Sequence, residues 1–171
     1  MVRHIEPLYS KVFSRGMMKT EKRSIGRFYS ALDTLGLSQR EVMRVLDRVA
    51  ALNLSLVMAH QADAAYWKEW EMFGLPGGIQ LFTLFNLAAF LLLFWLYSAV
   101  ISRQRTGFRG SFLIAGLSGI VLPIHAAFAY VGFTEFHLPV SIGVIIGTFV
   151  VSIWQAILTW RARMEFEGGA P

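Results

Sequence analysis

The sequence predicts an all-α polytopic membrane protein, a four-transmembrane-helix bundle with an N-terminal cytoplasmic helical extension. Three observations predict it. Of the 171 residues, 55% are hydrophobic and only 16% are charged, against roughly 25% charged in a soluble domain, and the mean hydropathy is +0.51. Three long runs carry no charge, from Met72 to Ser102, Gly110 to Thr134 and Phe136 to Trp160, each longer than the ~20 residues that a spanning helix needs. The basic residues are unevenly placed: positions 1–48 hold ten of the 16 Lys and Arg but five of the 11 acids, the pattern of a cytoplasmic segment under the positive-inside rule. The chain has no cysteine, which excludes disulfides, iron–sulfur clusters, thiolate nucleophiles and thiolate-held zinc or haem. It also has no phosphate loop, Gly-x-Ser-x-Gly elbow or dinucleotide fingerprint.

Taken in order, the chain divides into a basic cytoplasmic helical segment (1–48), a transmembrane domain (49–160) and a cytoplasmic tail (161–171). In the first, Ile25, Phe28, Tyr29, Leu32 and Leu35 fall at helical spacing and predict an amphipathic helix that Gly36 stops. Ser38-Gln-Arg-Glu41 is a capping box that opens the next helix. The run Leu35 to Val42 resembles the turn of a helix-turn-helix DNA reader. About 48 residues supply only two helices and no separate core, so we read a hairpin at the membrane surface and no nucleic-acid partner. Lys19, Lys22, Arg23 and Arg27, with Arg103, Arg105 and Arg109 of a later loop, are predicted to face anionic lipid headgroups. No apolar run of a cleavable signal peptide precedes them, and Met17-Met18 is an alternative start to Met1.

The predicted spans are about 49–70, 79–101, 111–132 and 138–160. The first is the least obvious. Val49 to Ala62 is too short to cross alone, and it spans only if Asp63 lies inside the membrane. Loop charge decides for it: with four spans and both termini cytoplasmic, 15 of the 16 basic residues lie inside and Lys68 alone lies outside. Gly143-x-x-x-Gly147 and Ala115-x-x-x-Gly119 predict close helix contacts. Pro123 predicts a kink that frees a carbonyl near Gly119 and aims His125 inward.

Polar side chains inside lipid are costly and ask for partners. On a continuous first helix His60, Asp63, Trp67 and Glu71 fall within a sector of about 80°. Counted at ~1.5 Å per residue, Asp63, Asn86 and His125 reach a similar depth in the outer leaflet, with His60 a turn deeper and Glu69, Glu71, Glu135 and His137 above them. One reading is a structural network that fixes helix packing. Another is a metal site, because His and carboxylate at i, i+3 plus a His from a facing helix suit Zn or non-haem Fe; His60, Asp63 and His125 are the candidate ligands and Glu69 or Glu71 the candidate acid/base. A third is b-type haem held by His60 and His125, with small residues such as Ala59, Ala62 and Gly119 against the macrocycle. Trp67, Asn86, Glu135 and His137 support the layer in each case.

The stretch His60 to Phe73, followed by Leu75-Pro-Gly-Gly-Ile-Gln-Leu-Phe82, resembles a signature in a family of small uncharacterised bacterial four-helix integral membrane proteins. The resemblance covers about the first two spans. It implies a bacterial origin and so an inner-membrane location, and it brings no activity and no catalytic residue. The function expected is therefore that of a non-enzymatic multi-pass inner-membrane protein, an accessory subunit or small-ligand binder, with a membrane-protein partner or a second copy as candidate company. The alternative is a metal-dependent membrane enzyme.

Overall fold

The computed structural model describes residues 38–168. The expected helix over 25–35 and Lys19, Lys22, Arg23 and Arg27 lie outside the described residues. The elements are α1 (Gln39–Tyr66), α2 (Glu69–Met72), α3 (Gly78–Ile101), α4 (Arg105–Gly119), α5 (Val121–Tyr130) and α6 (Pro139–Gly168). The protein is all-helical, with no strand among the described residues. Three stretches are long and apolar enough to cross a membrane: Gly78–Ile101, Arg105–Tyr130 and Pro139–Glu167. Their large apolar side chains point outward, Leu84, Phe85, Leu91 and Trp95 of α3 among them. That is the reverse of a soluble fold and the arrangement that lipid as solvent requires.

α1 starts directly after Ser38, at the capping box, and packs along α6, α4 and α3; α4 in turn packs on α6 and α3. Between these helices apolar residues such as Leu46, Leu54 and Ile114 are interleaved with a chain of buried polar ones. Asn53 of α1 donates from Nδ2 to Gln155 Oε1 at 2.7 Å and to Ser152 Oγ at 3.3 Å. Gln155 Nε2 donates to the Ser111 carbonyl and hydroxyl, both at 3.1 Å, and the Ser111 and Thr159 hydroxyls share a hydrogen at 2.6 Å. Asn53, Ser111, Gln155 and Thr159 are fully buried. In hydrocarbon no hydrophobic drive separates one helix from another, so such bonds and small-residue contacts hold the bundle.

Two connections differ from the sequence reading. Residues 103–109 do not form a loop: α4 already begins at Arg105, and only Ser102 to Gln104 turn. The turn is held by Arg103, in the left-handed region at φ 57°, whose guanidinium grips both Asp47 oxygens at 2.8 and 2.6 Å. α4 comes close to α3 at Gly107, where a Cβ would stand 2.4 Å from the Ala99 carbonyl oxygen. The expected small-residue contacts are met unevenly. Ala115 is buried and a Cβ at Gly119 would touch Ser152 Cβ at 3.5 Å, but one at Gly143 meets nothing within 4 Å. The interruption between α4 and α5 falls at Ile120, as expected from Pro123, which has no N–H to return to the Gly119 carbonyl. α6 also runs past Trp160, its last two turns stapled by Arg161–Glu165 and Arg163–Glu167 pairs at 2.9 Å.

Candidate metal centre

His60 projects from α1 and His125 from α5, and both are buried. Their Nε2 atoms stand 3.4 Å apart, with the rings edge to face at 5.0 Å between centroids. His125 follows the interruption at Ile120 and is buried. Phe136 lies against both rings, 4.2 Å from His125 and 5.8 Å from His60 between centroids. It is buried and holds a left-handed φ of 62°, a conformation that a bulky residue rarely adopts.

The third group is Glu69, whose Oε1 lies 3.6 Å from His125 Nε2. A continuous helix would place residue 69 roughly 180° from His60, on the opposite face. The helix is not continuous. α1 ends at Tyr66, and Lys68 takes φ 54° and ψ 47°, so that the one-turn α2 restarts on a new heading. This turns Glu69 inward, where it is 7% exposed, and sends Glu71 outward to an exposed ion pair with Lys68 at 3.8 Å. The predicted stripe is broken at this point: Glu71 is not in the layer, and Glu69 is. Nothing in the sequence marks Lys68, since a left-handed turn is ordinarily signalled by Gly or Asn.

One ligand atom from each of His60, Glu69 and His125 lies within 4.8 Å of the others. Asp63, the expected carboxylate ligand, faces α6 instead. Ser141 donates to its Oδ1 at 3.0 Å, and Trp67 donates to Ser141 at 3.5 Å. Asp63 Oδ2 and His60 Nδ1, one helix turn apart, are both buried without a hydrogen-bond partner among the described residues. Asn86 is buried and returns its amide to the Phe82 carbonyl at 2.9 Å within its own helix. His137 is exposed; its Nδ1 is 2.9 Å from the Thr134 carbonyl and its ring is 5.0 Å from that of Trp67. Glu135 is half-buried on the same loop. The layer therefore resolves into two sets: His60, His125 and Glu69 converge, while Asp63, Trp67 and Ser141 tie α1 to α6.

The separations within the first set are informative. At 3.4 and 3.6 Å they are longer than good hydrogen bonds. The first lies within, and the second just beyond, the ligand-to-ligand edge of a tetrahedral site, roughly 3.3–3.5 Å for metal–nitrogen distances of ~2.0–2.1 Å. All three side chains line one cavity of about 360 Å³, together with Trp70, Phe82, Phe85, Leu117, Val121 and Ile124.

Residues 46–162 match the model of a family of unknown function, DUF6713. The chain belongs to the DUF6713 family. The matched region runs from within α1 to the last turns of α6 and contains His60, Glu69 and His125 of this chain, while residues 1–45 lie outside it. No curated protein and no solved structure matches the chain.

Proposed function

We propose that this DUF6713 protein is a four-span inner-membrane protein that holds a transition-metal ion, zinc or iron, between His60, Glu69 and His125. The observation that carries the reading is the convergence of two imidazoles and a carboxylate, from three separate elements, with one ligand atom of each within 4.8 Å of the others. Three protein donors leave one position open, the arrangement of binding and catalytic rather than purely structural metal sites. Glu71, on the outer surface beside Lys68, is too far round to serve as their acid/base.

The membrane topology belongs to the same proposal. α1 has 28 residues, about 42 Å at 1.5 Å per residue, and packs lengthwise in the bundle, which supports its crossing as a first span despite Asp63. The Arg103–Asp47 clasp joins the start of α1 to the α3–α4 turn at one end, the end that carries most of the basic residues. We assign that end to the cytoplasm of a bacterial cell, with Arg105 and Arg109 at the level of anionic headgroups.

The test is metal content. Protein purified in mild detergent and analysed for zinc and iron should carry about one ion per chain, and His60→Ala and His125→Ala should each lose it. A chelator should lower the melting temperature of the wild type, because an ion bound only to the folded state stabilises it by about 2.7 kcal/mol at a hundredfold excess over Kd. A wild type with no ion that binds none on addition, and that ignores the chelator, would return the cluster to a packing role.

A further inference from the structure

The same cavity suggests what meets the ion. This inference rests on the metal reading and names the ligand class of that site. One end of the cavity is polar, with His60, Glu69 and His125, and next to them Gln61, whose Oε1 is buried without a partner among the described residues. The rest is hydrocarbon. Its outer wall is built from side chains that also face away from the protein: Phe85 is 63% exposed, Leu117 53% and Ile120 54%. In a helix that spans the membrane, exposure of this kind is exposure to acyl chains. The cavity thus opens sideways toward lipid and ends at the metal ligands.

Charge narrows the class of occupant. A divalent ion with one carboxylate and two neutral imidazoles leaves a net charge of +1 on the ligand set, while Asp63, the other carboxylate of the layer, is held by Ser141 at 3.0 Å rather than in the cluster; such a charge inside lipid is costly unless it is matched. A monoanionic oxygen head in the open position cancels it. The volume of about 360 Å³ is at the lower end of small-molecule sites, enough for a head and the first part of one chain, with the remainder left in the bilayer. We propose that the cavity takes a single-chain amphiphile with a carboxylate head, a fatty-acid-type molecule, laterally from the membrane. Its head ligates the ion, and its tail lies along Phe82, Phe85, Leu117 and Ile124.

The experiment uses the full chain loaded with Co²⁺ in lipid nanodiscs, where the visible cobalt band reports a change of ligand. Dodecanoate should shift the band at a concentration at least tenfold below that needed for acetate, while dodecanol should leave it unchanged. Leu117→Trp, which fills the cavity from an exposed position, should keep its cobalt and lose at least tenfold in dodecanoate affinity. Equal potency of acetate and dodecanoate, a dodecanol shift equal to that of dodecanoate, or a Leu117→Trp protein that responds as the wild type would overturn the lipid proposal and leave the metal site standing. A wild type that takes up no cobalt overturns both.

Discussion

His60 and His125 are 65 positions apart and meet at 3.4 Å, so neither has its buried environment without the other. Replacing either by Ala breaks one unit, and a double-mutant cycle in a detergent-unfolding assay should show strong non-additivity, with an interaction energy of about 0.5–3 kcal/mol. Purely additive losses would mean that the pair does not act together. The two carboxylates separate by what they touch. Glu69→Gln removes a donor from the ion and should abolish stoichiometric zinc. Asp63→Asn keeps a group that can accept from Ser141 and should retain the ion, with affinity reduced by no more than the ~10–100-fold that outer-shell partners contribute. If Asp63→Asn strips the metal and Glu69→Gln does not, the ligand set is the one read from helical periodicity. Counting along the helices brings His60 and His125 to one layer, where they stand 3.4 Å apart, but it takes Asp63 as their carboxylate, and Asp63 bonds Ser141 of α6 instead. It misplaces Glu69 and Glu71 because a single left-handed residue, Lys68, resets the phase of everything after it.

At the level of helices, the polar residues of α6 are visible in the sequence as a face, Thr148, Ser152 and Gln155. Their partners Asn53 and Ser111 are not, since a pairing across helices has no local signature. Gln155→Leu preserves bulk and removes the bonds, leaving Asn53 and Ser111 short of partners. The expected cost is about 1–2 kcal/mol, near the upper range for such bonds in membranes, read as a lower midpoint in mixed micelles. Gly107 is the second test. A methyl there would meet the Ala99 carbonyl at 2.4 Å, against backbone that cannot rotate away, so Gly107→Ala should cost about 1–3 kcal/mol by overpacking. At Gly143 a Cβ meets nothing within 4 Å, and Gly143→Ala should leave the midpoint unchanged or raise it slightly, since it lowers the entropy of the unfolded chain. The reverse ranking would show that the α3–α4 approach is looser than described.

For the whole molecule, the apolar runs suffice to show that this is a membrane protein, because three charge-free stretches have no other economical home. The span count is harder to read. It turns on α1, whose mean hydropathy is diluted by Asn53, His60, Gln61 and Asp63, of which Asn53 and Asp63 bond across to α6 and His60 meets His125. The polar groups that tie α1 into the bundle are those that make it look too polar to cross. The absence of native cysteine makes the test direct. Single cysteines at Lys68 and at Arg105, probed on intact cells with a membrane-impermeant maleimide, should label at position 68 and stay protected at 105 until the membrane is opened. Labelling of both from outside, or of 105 alone, would overturn the four-span arrangement with cytoplasmic termini.

The break at Lys68 has a kinetic consequence. Two of the three donors ride on bundle helices, but Glu69 rides on a four-residue piece, α2, attached by one left-handed residue on one side and by the Gly74–Gly78 turn on the other. Connectors of this kind open locally at a fraction of the cost of global unfolding. For the ion proposed above, local opening of this piece would withdraw Glu69 without unfolding the bundle, so exchange of bound zinc should outpace global unfolding.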